Sequence, residues 1–412
     1  MSKFRYITVL SLLSLGPPAS LFAESIAGLW DATVSVNEVD IPFRIELSLK
    51  GRKASGSFFN GDERVRSTSG RFDNGELTLH FDHYATKLAA RWEDEQLTGT
   101  YGRASRGLYA FRAKRFEPSR LSAEAVPSIA GLWDIAVQSP KGESAWRFIV
   151  RQSGPEVSAA ILRVDGDTGT LSGSYRDGKF VLSHFSGARP ILLEITPTPE
   201  GTLDILQNKK NRLTAVRSAE ARLKGLPEPA DPSRWTSVKD PSQPFRFSAP
   251  DLAGKLVTES DPRFRGKVVI VNISGSWCPN CHDEAPFLAE LYRKHRSQGL
   301  EIVTLSFEEA EQLKDPARLR AFIQQYGIEY TVLLGGEPGE VLDRLPQAVN
   351  LNTWPATFFL GRDGLVRSVH AGFASRASGD AHRQLKEEIT RTIEQLLAEL
   401  APPGQVPLRS RN

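Results

Sequence analysis

Lys267-Val268-Val269-Ile270-Val271-Asn272-Ile273 leads through Ser274-Gly275-Ser276 into Trp277-Cys278-Pro279-Asn280-Cys281, an apolar run that ends in a closely spaced cysteine pair. The first seven residues, dominated by β-branched side chains, read as a strand buried on both faces. Beyond the cysteines, Phe287, Leu288, Leu291 and Tyr292 fall at helical spacing. The cysteine pair therefore sits where a central strand hands over to a helix N-terminus. Pro279 suits the first helical turn, where its missing N–H costs nothing. Unpaired amides and the helix dipole would favour the thiolate of Cys278. The chain of 412 residues has no other cysteines. A disulfide across two intervening residues constrains the unfolded chain little, so the pair points to chemistry rather than stapling.

Further landmarks follow in order. Phe247-Ser248-Ala249-Pro250-Asp251-Leu252 and Gly254-Lys255 form a candidate hairpin, and Gly266-Lys267 opens the strand. Trp354-Pro355-Ala356-Thr357-Phe358-Phe359-Leu360 is followed by Asp363-Gly364. Leu385, Ile389, Ile393, Leu396 and Leu400 share one face of a helix over 380–400. Strands alternating with helices predict an α/β domain with a largely parallel core. With these features the region resembles the thioredoxin superfamily, and within it the exported TlpA/ResA-like thiol-disulfide oxidoreductases. The segment 315–345, with its own helix and the Tyr330–Leu334 strand, fits the insertion of that branch.

The resemblance implies a cis Pro355 beside the disulfide, and a Trp354 backbone that pairs with an extended client segment. It assigns catalysis to Cys278, Cys281 and Glu284, and substrate contact to Trp277, Pro279, Asn280, Trp354 and Pro355. Cys278 would attack a client disulfide and Cys281 would resolve the mixed disulfide. Glu284, one helical turn beyond Cys281, would take the Cys281 proton; the alternative is a solvated helix acid. No cofactor is expected beyond the Cys278–Cys281 disulfide, and no metal. The implied partners are disulfide-bearing client proteins and a membrane electron donor of the CcdA or DsbD kind. Two departures from the usual pattern, Pro279-Asn280 between the cysteines and the bulky Trp354, leave reductase and oxidase directions both open.

Other chemistries fit less well. Cys278-Pro279-Asn280-Cys281-His282 also spells a haem-attachment sequence, but the only methionine is Met1, so the usual second ligand is missing. Zinc on Cys278, Cys281 and His282 lacks a fourth neighbour. His282 is expected to face solvent at the first turn or to tune the thiolate modestly, and His80 and His83, near a strand end, to be solvated. A thiol peroxidase on the same fold would need Thr where Gly275 stands.

The first half carries a repeat. Ile26-Ala27-Gly28-Leu29-Trp30-Asp31 recurs as Ile129-Ala130-Gly131-Leu132-Trp133-Asp134, an offset of 103 that also carries Gly70 onto Gly173, Gly75 onto Gly178 and Leu79 onto Leu182. Period-two alternation, as in Phe43-Arg44-Ile45-Glu46-Leu47, and turns such as Asp73-Asn74-Gly75 and Arg176-Asp177-Gly178 predict all-β antiparallel barrel or sandwich modules. About eight strands per copy suffice for a small up-and-down barrel; a single merged sandwich is the alternative. Trp30 and Trp133 read as core residues of the barrels rather than ligand contacts. Two readings of the modules stand: a structural role, or a grip on an unknown ligand or client as the protein's main task, which would make it a binding or chaperone-like protein.

The expected organisation is a signal peptide (1–23), module 1 (24–117), module 2 (128–219), a Pro-rich semi-rigid linker (220–244), a thioredoxin-like domain (245–401) and a tail (402–412). Lys3, Arg5, an apolar stretch and a small-residue cleavage site at Ala23 predict export to the periplasm or another extracytoplasmic space. An uncleaved segment would instead anchor the chain. The formal charge of +3 falls close to balance without Lys3 and Arg5, which gives no electrostatic footprint for nucleic acid.

Overall fold

The computed structural model describes residues 26–61, 63–117 and 126–399, so the expected signal segment and tail lie outside the described residues. Two separate barrels come first. In each, eight antiparallel strands run up and down and the last pairs with the first. The first barrel begins with Gly28–Val36 and closes with Gly107–Arg115; the second begins with Gly131–Ala136 and closes with Asn211–Arg217. Closure pairs each of the eight on both sides, and a short ninth strand, Glu63–Arg66 in the first and Gly166–Asp167 in the second, pairs with the third. The Asn74-Gly75 and Asp177-Gly178 turns have φ of 50° and 82°, and of 50° and 81°. Both central residues are left-handed, as a two-residue hairpin turn requires.

The alternating residues fill the barrel interiors. Ile41, Phe43, Ile45 and Leu47 all point inward from one strand. Phe58, Leu79, Phe81, Leu88 and Phe111 complete the first core, while Phe148, Leu171, Phe180, Leu182, Leu193 and Ile205 build the second. Trp30 and Trp133 are buried core residues held identically. Their indole N–H groups donate to the carbonyls of Ile26 and Ile129, both at 2.9 Å. The Arg115 and Arg217 guanidinium groups lie over their rings at 4.4 and 3.9 Å.

The barrels interlock asymmetrically. Phe185 of the second enters the first barrel's core, against Phe43, Phe58 and Tyr101. Asn60 bonds both the carbonyl and the amide of Phe185, each at 2.9 Å. The Pro-rich segment is not a free spacer. Within it Pro232–Trp235 forms a short helix, Ser237–Val238 pairs with Ala348–Val349, and Trp235 donates to Asn352 at 2.8 Å.

The C-terminal domain has a thioredoxin-like mixed sheet, in the order Thr331–Gly336, Leu300–Phe307, Val268–Ser274, Ala356–Leu360, Val366–Ala371. The first three strands are parallel and the last two antiparallel, so the core is less uniformly parallel than the strand–helix alternation suggests. Val268–Ser274 is buried throughout because opposite faces feed two clusters: Val271 and Ile273 meet Phe358, while Val268 and Ile270 meet Phe287 and the helix Asp380–Ala398. That helix presents Leu385, Ile389, Ile393 and Leu396, as its periodicity requires. Leu400 lies outside the described residues. Ser248–Pro250 and Leu256–Thr258 form the expected hairpin, and the inserted helix spans Ala317–Tyr326.

Candidate active site

The strand Val268–Ser274 delivers the cysteines to the start of the helix Pro279–His295. Cys278 is the N-cap: its sulfur accepts from the Cys281 amide at 3.3 Å, and its thiol reaches the Trp354 carbonyl at 3.5 Å. The Trp354–Pro355 bond is cis. Trp277 donates to the Phe307 carbonyl at 2.9 Å and its ring meets Trp354 edge-on at 5.4 Å. Both thiols are free. Burial, with the Cys278 sulfur beside it, pushes the Cys281 thiol well above its ordinary range. The Cys278 sulfur thus lies against a helix amide, while burial favours the protonated form of the second thiol.

Glu284 lies one helical turn beyond Cys281 on the same helix. It is 2 % exposed, which excludes a solvated helix acid. Asn272 and Thr357 donate to its two carboxylate oxygens at 2.7 and 2.9 Å. Burial raises its pKa to about 7, and those two hydrogen bonds oppose the rise. A carboxyl that titrates near neutrality exchanges a proton with little penalty in either direction.

His282 departs from its expected place. It is buried, with Nδ1 bonded to the Tyr326 hydroxyl and Nε2 to the Ser276 carbonyl, both at 2.9 Å. Burial lowers its pKa to about 3. Neither nitrogen is available to iron or zinc without breaking a buried bond. His83, likewise expected in solvent, is buried against Tyr84 and His282.

The reason is that both barrels cover the start of the active-site helix. Tyr84 of the first barrel lies 4.3 Å from the His282 ring. Arg189 of the second donates to Asn280 at 2.7 Å, and Asn280 donates to the Asp165 carbonyl at 2.5 Å. Cys278 is left 3 % exposed. Asp283, half-buried among these groups, has its carboxyl pushed well above the usual range by burial; Arg189 opposes this, while Asp167, Glu63 and Cys278 add to it.

A second buried network fixes the approach to the cysteines. Glu308 accepts from the Ser276 amide and hydroxyl and from Ser306, each at 2.7 Å, and pairs with the fully buried Arg318 at 2.8 Å. Arg318 also binds Glu309, which reaches Arg103 and Arg106 of the first barrel. Sequence reasoning missed Tyr84, Asp167, Arg189, Asp283, Glu308 and Arg318, since none belongs to a motif. A cleft of about 1190 Å³ lies between the barrels and includes none of the cysteine-motif residues.

The C-terminal domain is similar to known proteins. Residues 242–369 match the AhpC/TSA family. The thiol-disulfide oxidoreductase ResA of Bacillus subtilis (strain 168) is 32 % identical over 136 residues, which cover 33 % of this chain and 69 % of that protein. ResA of Bacillus thuringiensis subsp. konkukian (strain 97-27) is 32 % identical over 122 residues, 29 % of this chain; the match spans 62 % of that relative's length. A putative thiol:disulfide interchange protein DsbE from Chlorobium tepidum superposes with a TM-score of 0.32 at 23 % identity, over 39 % of this chain and 100 % of that one. Through its C-terminal domain the chain belongs to the ResA family of thiol-disulfide oxidoreductases. The barrels fall outside the match to the AhpC/TSA family.

Proposed function

We propose that the protein is an exported disulfide reductase that uses Cys278 and Cys281 on client proteins. The observation that carries this reading is the alignment of an N-cap thiol, a buried second thiol and a buried carboxyl near neutrality on one helix. The Cys278 thiolate attacks one sulfur of a client disulfide; a Cys278–client bond forms, the client S–S bond breaks, and the departing sulfur takes up a proton. Cys281 passes its proton to Glu284 and attacks the Cys278 sulfur. The second client thiol leaves, and the pair is oxidised to a disulfide while the client gains two electrons. Trp277, Pro279, Asn280, Trp354 and Pro355 would frame the client chain. A membrane dithiol carrier of the CcdA or DsbD kind would return the two electrons. The signal-like segment 1–23 supports export; among the described residues no helix is long and apolar enough to cross a membrane.

Gly275 in place of Thr three residues before Cys278 disfavours a peroxidase. The filled barrels disfavour ligand carriage within them. Equilibration with glutathione or dithiothreitol tests the proposal. A potential near roughly −270 mV supports a reductase, whereas one near roughly −120 mV makes the protein an oxidant.

A further inference from the structure

The second barrel does more than lie near the cysteines. Its Asp165-Gly166-Asp167 turn lies against Gly372-Phe373, the segment that is bonded in turn to Pro355. Gly166 pairs in parallel with Phe373, and the Gly372 amide donates to the Pro355 carbonyl at 2.7 Å. Approach is close enough to require glycine on both sides. A Cβ on Gly166 (φ +117°) would lie 2.3 Å from the Phe373 carbonyl oxygen and 2.8 Å from Asn280. One on Gly372 (φ +69°) would lie 2.3 Å from the Asp165 backbone.

Polar contacts along the turn are those of a bound peptide. Asn280, between the two cysteines, donates to the Asp165 carbonyl. The Asp167 carboxylate, fully buried, accepts from the Ser375 amide at 2.7 Å, the Ser375 hydroxyl at 2.8 Å and the Ser378 hydroxyl at 2.5 Å. It also accepts from its own barrel's Gly169 amide at 2.8 Å. Arg189 spans the Asp167 carbonyl and Asn280.

We propose that this turn is an internal ligand of the client groove: clients displace it, and they bind as an extended segment whose acidic side chain enters the Ser375–Ser378 cradle. The proposal rests on the reductase reading for the identity of the groove. Backbone pairing alone accepts any sequence, whereas a cradle of one amide and two hydroxyls aimed at one point selects a carboxylate. With the turn seated, Cys278 is covered; with it displaced, the same surface receives a disulfide beside an acidic residue.

Alkylation of Cys278 in the reduced full chain by iodoacetamide, followed by the mass of the Cys278 peptide, reads this directly. Asp167→Ala is expected to raise the rate about tenfold, and Ser378→Ala, on the opposite side of the contact, to raise it in the same direction. The double variant should gain little over the stronger single one, because both remove one contact. Unchanged rates in both variants overturn the internal ligand. A cystine peptide carrying Asp-Gly-Asp should be reduced by Asp167→Ala protein with a lower KM than its Asn-Gly-Asn counterpart, and equal KM values overturn the carboxylate preference. Alkylation needs no disulfide exchange, so failure of Cys278 and Cys281 to oxidise in glutathione buffers would instead overturn the reductase reading.

Discussion

The offset of 103 pairs Asp82-His83-Tyr84 of the first barrel with Phe185-Ser186-Gly187 of the second, and these equivalent loops have opposite destinations. In the first, Asp82 stays in solvent while His83 and Tyr84 turn toward the redox domain and cover His282. In the second, Phe185 is driven into the sibling barrel. One core feature is kept in both barrels: Trp30 and Trp133 have the same bonds and the same arginine partner. A duplicated module thus retains what packing demands of it and diverges where its loops meet different neighbours. The second barrel holds the first, and each holds the redox domain from its own side.

The sharpest way to break this comparison is to truncate Phe185. Phe185→Ala empties a fully buried aromatic site and should cost about 3–5 kcal/mol. Asp82→Asn, at the equivalent exposed position, should stay within about 0.5 kcal/mol. Denaturant midpoints of the two variants check the contrast. Similar losses would show that the loops contribute alike and that the asymmetry is incidental.

Much of this was legible in the sequence, for local reasons. Strand alternation, the fixed offset and the left-handed turns need only neighbouring residues, so the barrels could be read directly. The Cys278 cap, the Trp354–Pro355 landmark and the face Leu385–Leu396 are equally local. The cover over the cysteines was not legible. Tyr84, Asp167 and Arg189 reach the site through the placement of whole modules, which leaves no periodic trace. His282 shows the cost of local reasoning: a first-turn histidine ordinarily faces water, and here a barrel removes the water. The pairing of Asn272 with Glu284 was half visible, since both positions stood out, but only the fold shows that one amide bonds the other's carboxylate.

Tyr84→Ala comes next in size, at about 2 kcal/mol, from lost burial and a lost ring contact. It also bears on pH. His282 is held neutral in the folded chain, with a pKa of about 3 against an ordinary 6.5, so the unfolded chain binds the extra proton. Stability from this group is complete above about pH 6.5 and is lost as pH falls toward 3. Readmitting water beside the ring should raise the His282 pKa and shrink that acid loss, as followed by the histidine resonances and by melting at pH 7 and 5. An unmoved resonance would mean that Phe322 and Tyr326, on the redox domain itself, suffice to bury it.

Glu284 sets the opposite limb, on the side of the helix that meets Asn272 and Thr357 of the sheet. Its folded pKa is raised to about 7, so its contribution is complete below about pH 4.5 and is lost as pH rises through 7. Glu284→Gln should flatten the alkaline decline by about 1 kcal/mol between pH 6 and 8 and remove an inflection near pH 7 from the rate of mixed-disulfide resolution. The acid limb should be unaffected. A change in both limbs would mean that the two faces of the helix titrate as one unit.

The polar rim of the first barrel should matter least. Arg106 pairs with Glu309, but its side chain is 55 % exposed and Glu309 keeps Arg103 and Arg318 when Arg106 is removed. No buried charge is left uncompensated, so the large penalty for breaking a buried pair does not arise. What remains is an attraction through solvent, opposed by the entropy of ordering a long side chain. Arg106→Ala should therefore cost less than about 1 kcal/mol, and the difference should shrink as salt rises from about 0.05 to 0.5 M. A salt-independent loss above about 2 kcal/mol would place the hold of the first barrel on the redox domain in its charges. The expected small, screened loss would leave that hold to Tyr84, so each of the two equivalent loops would anchor a different neighbour through a buried aromatic ring.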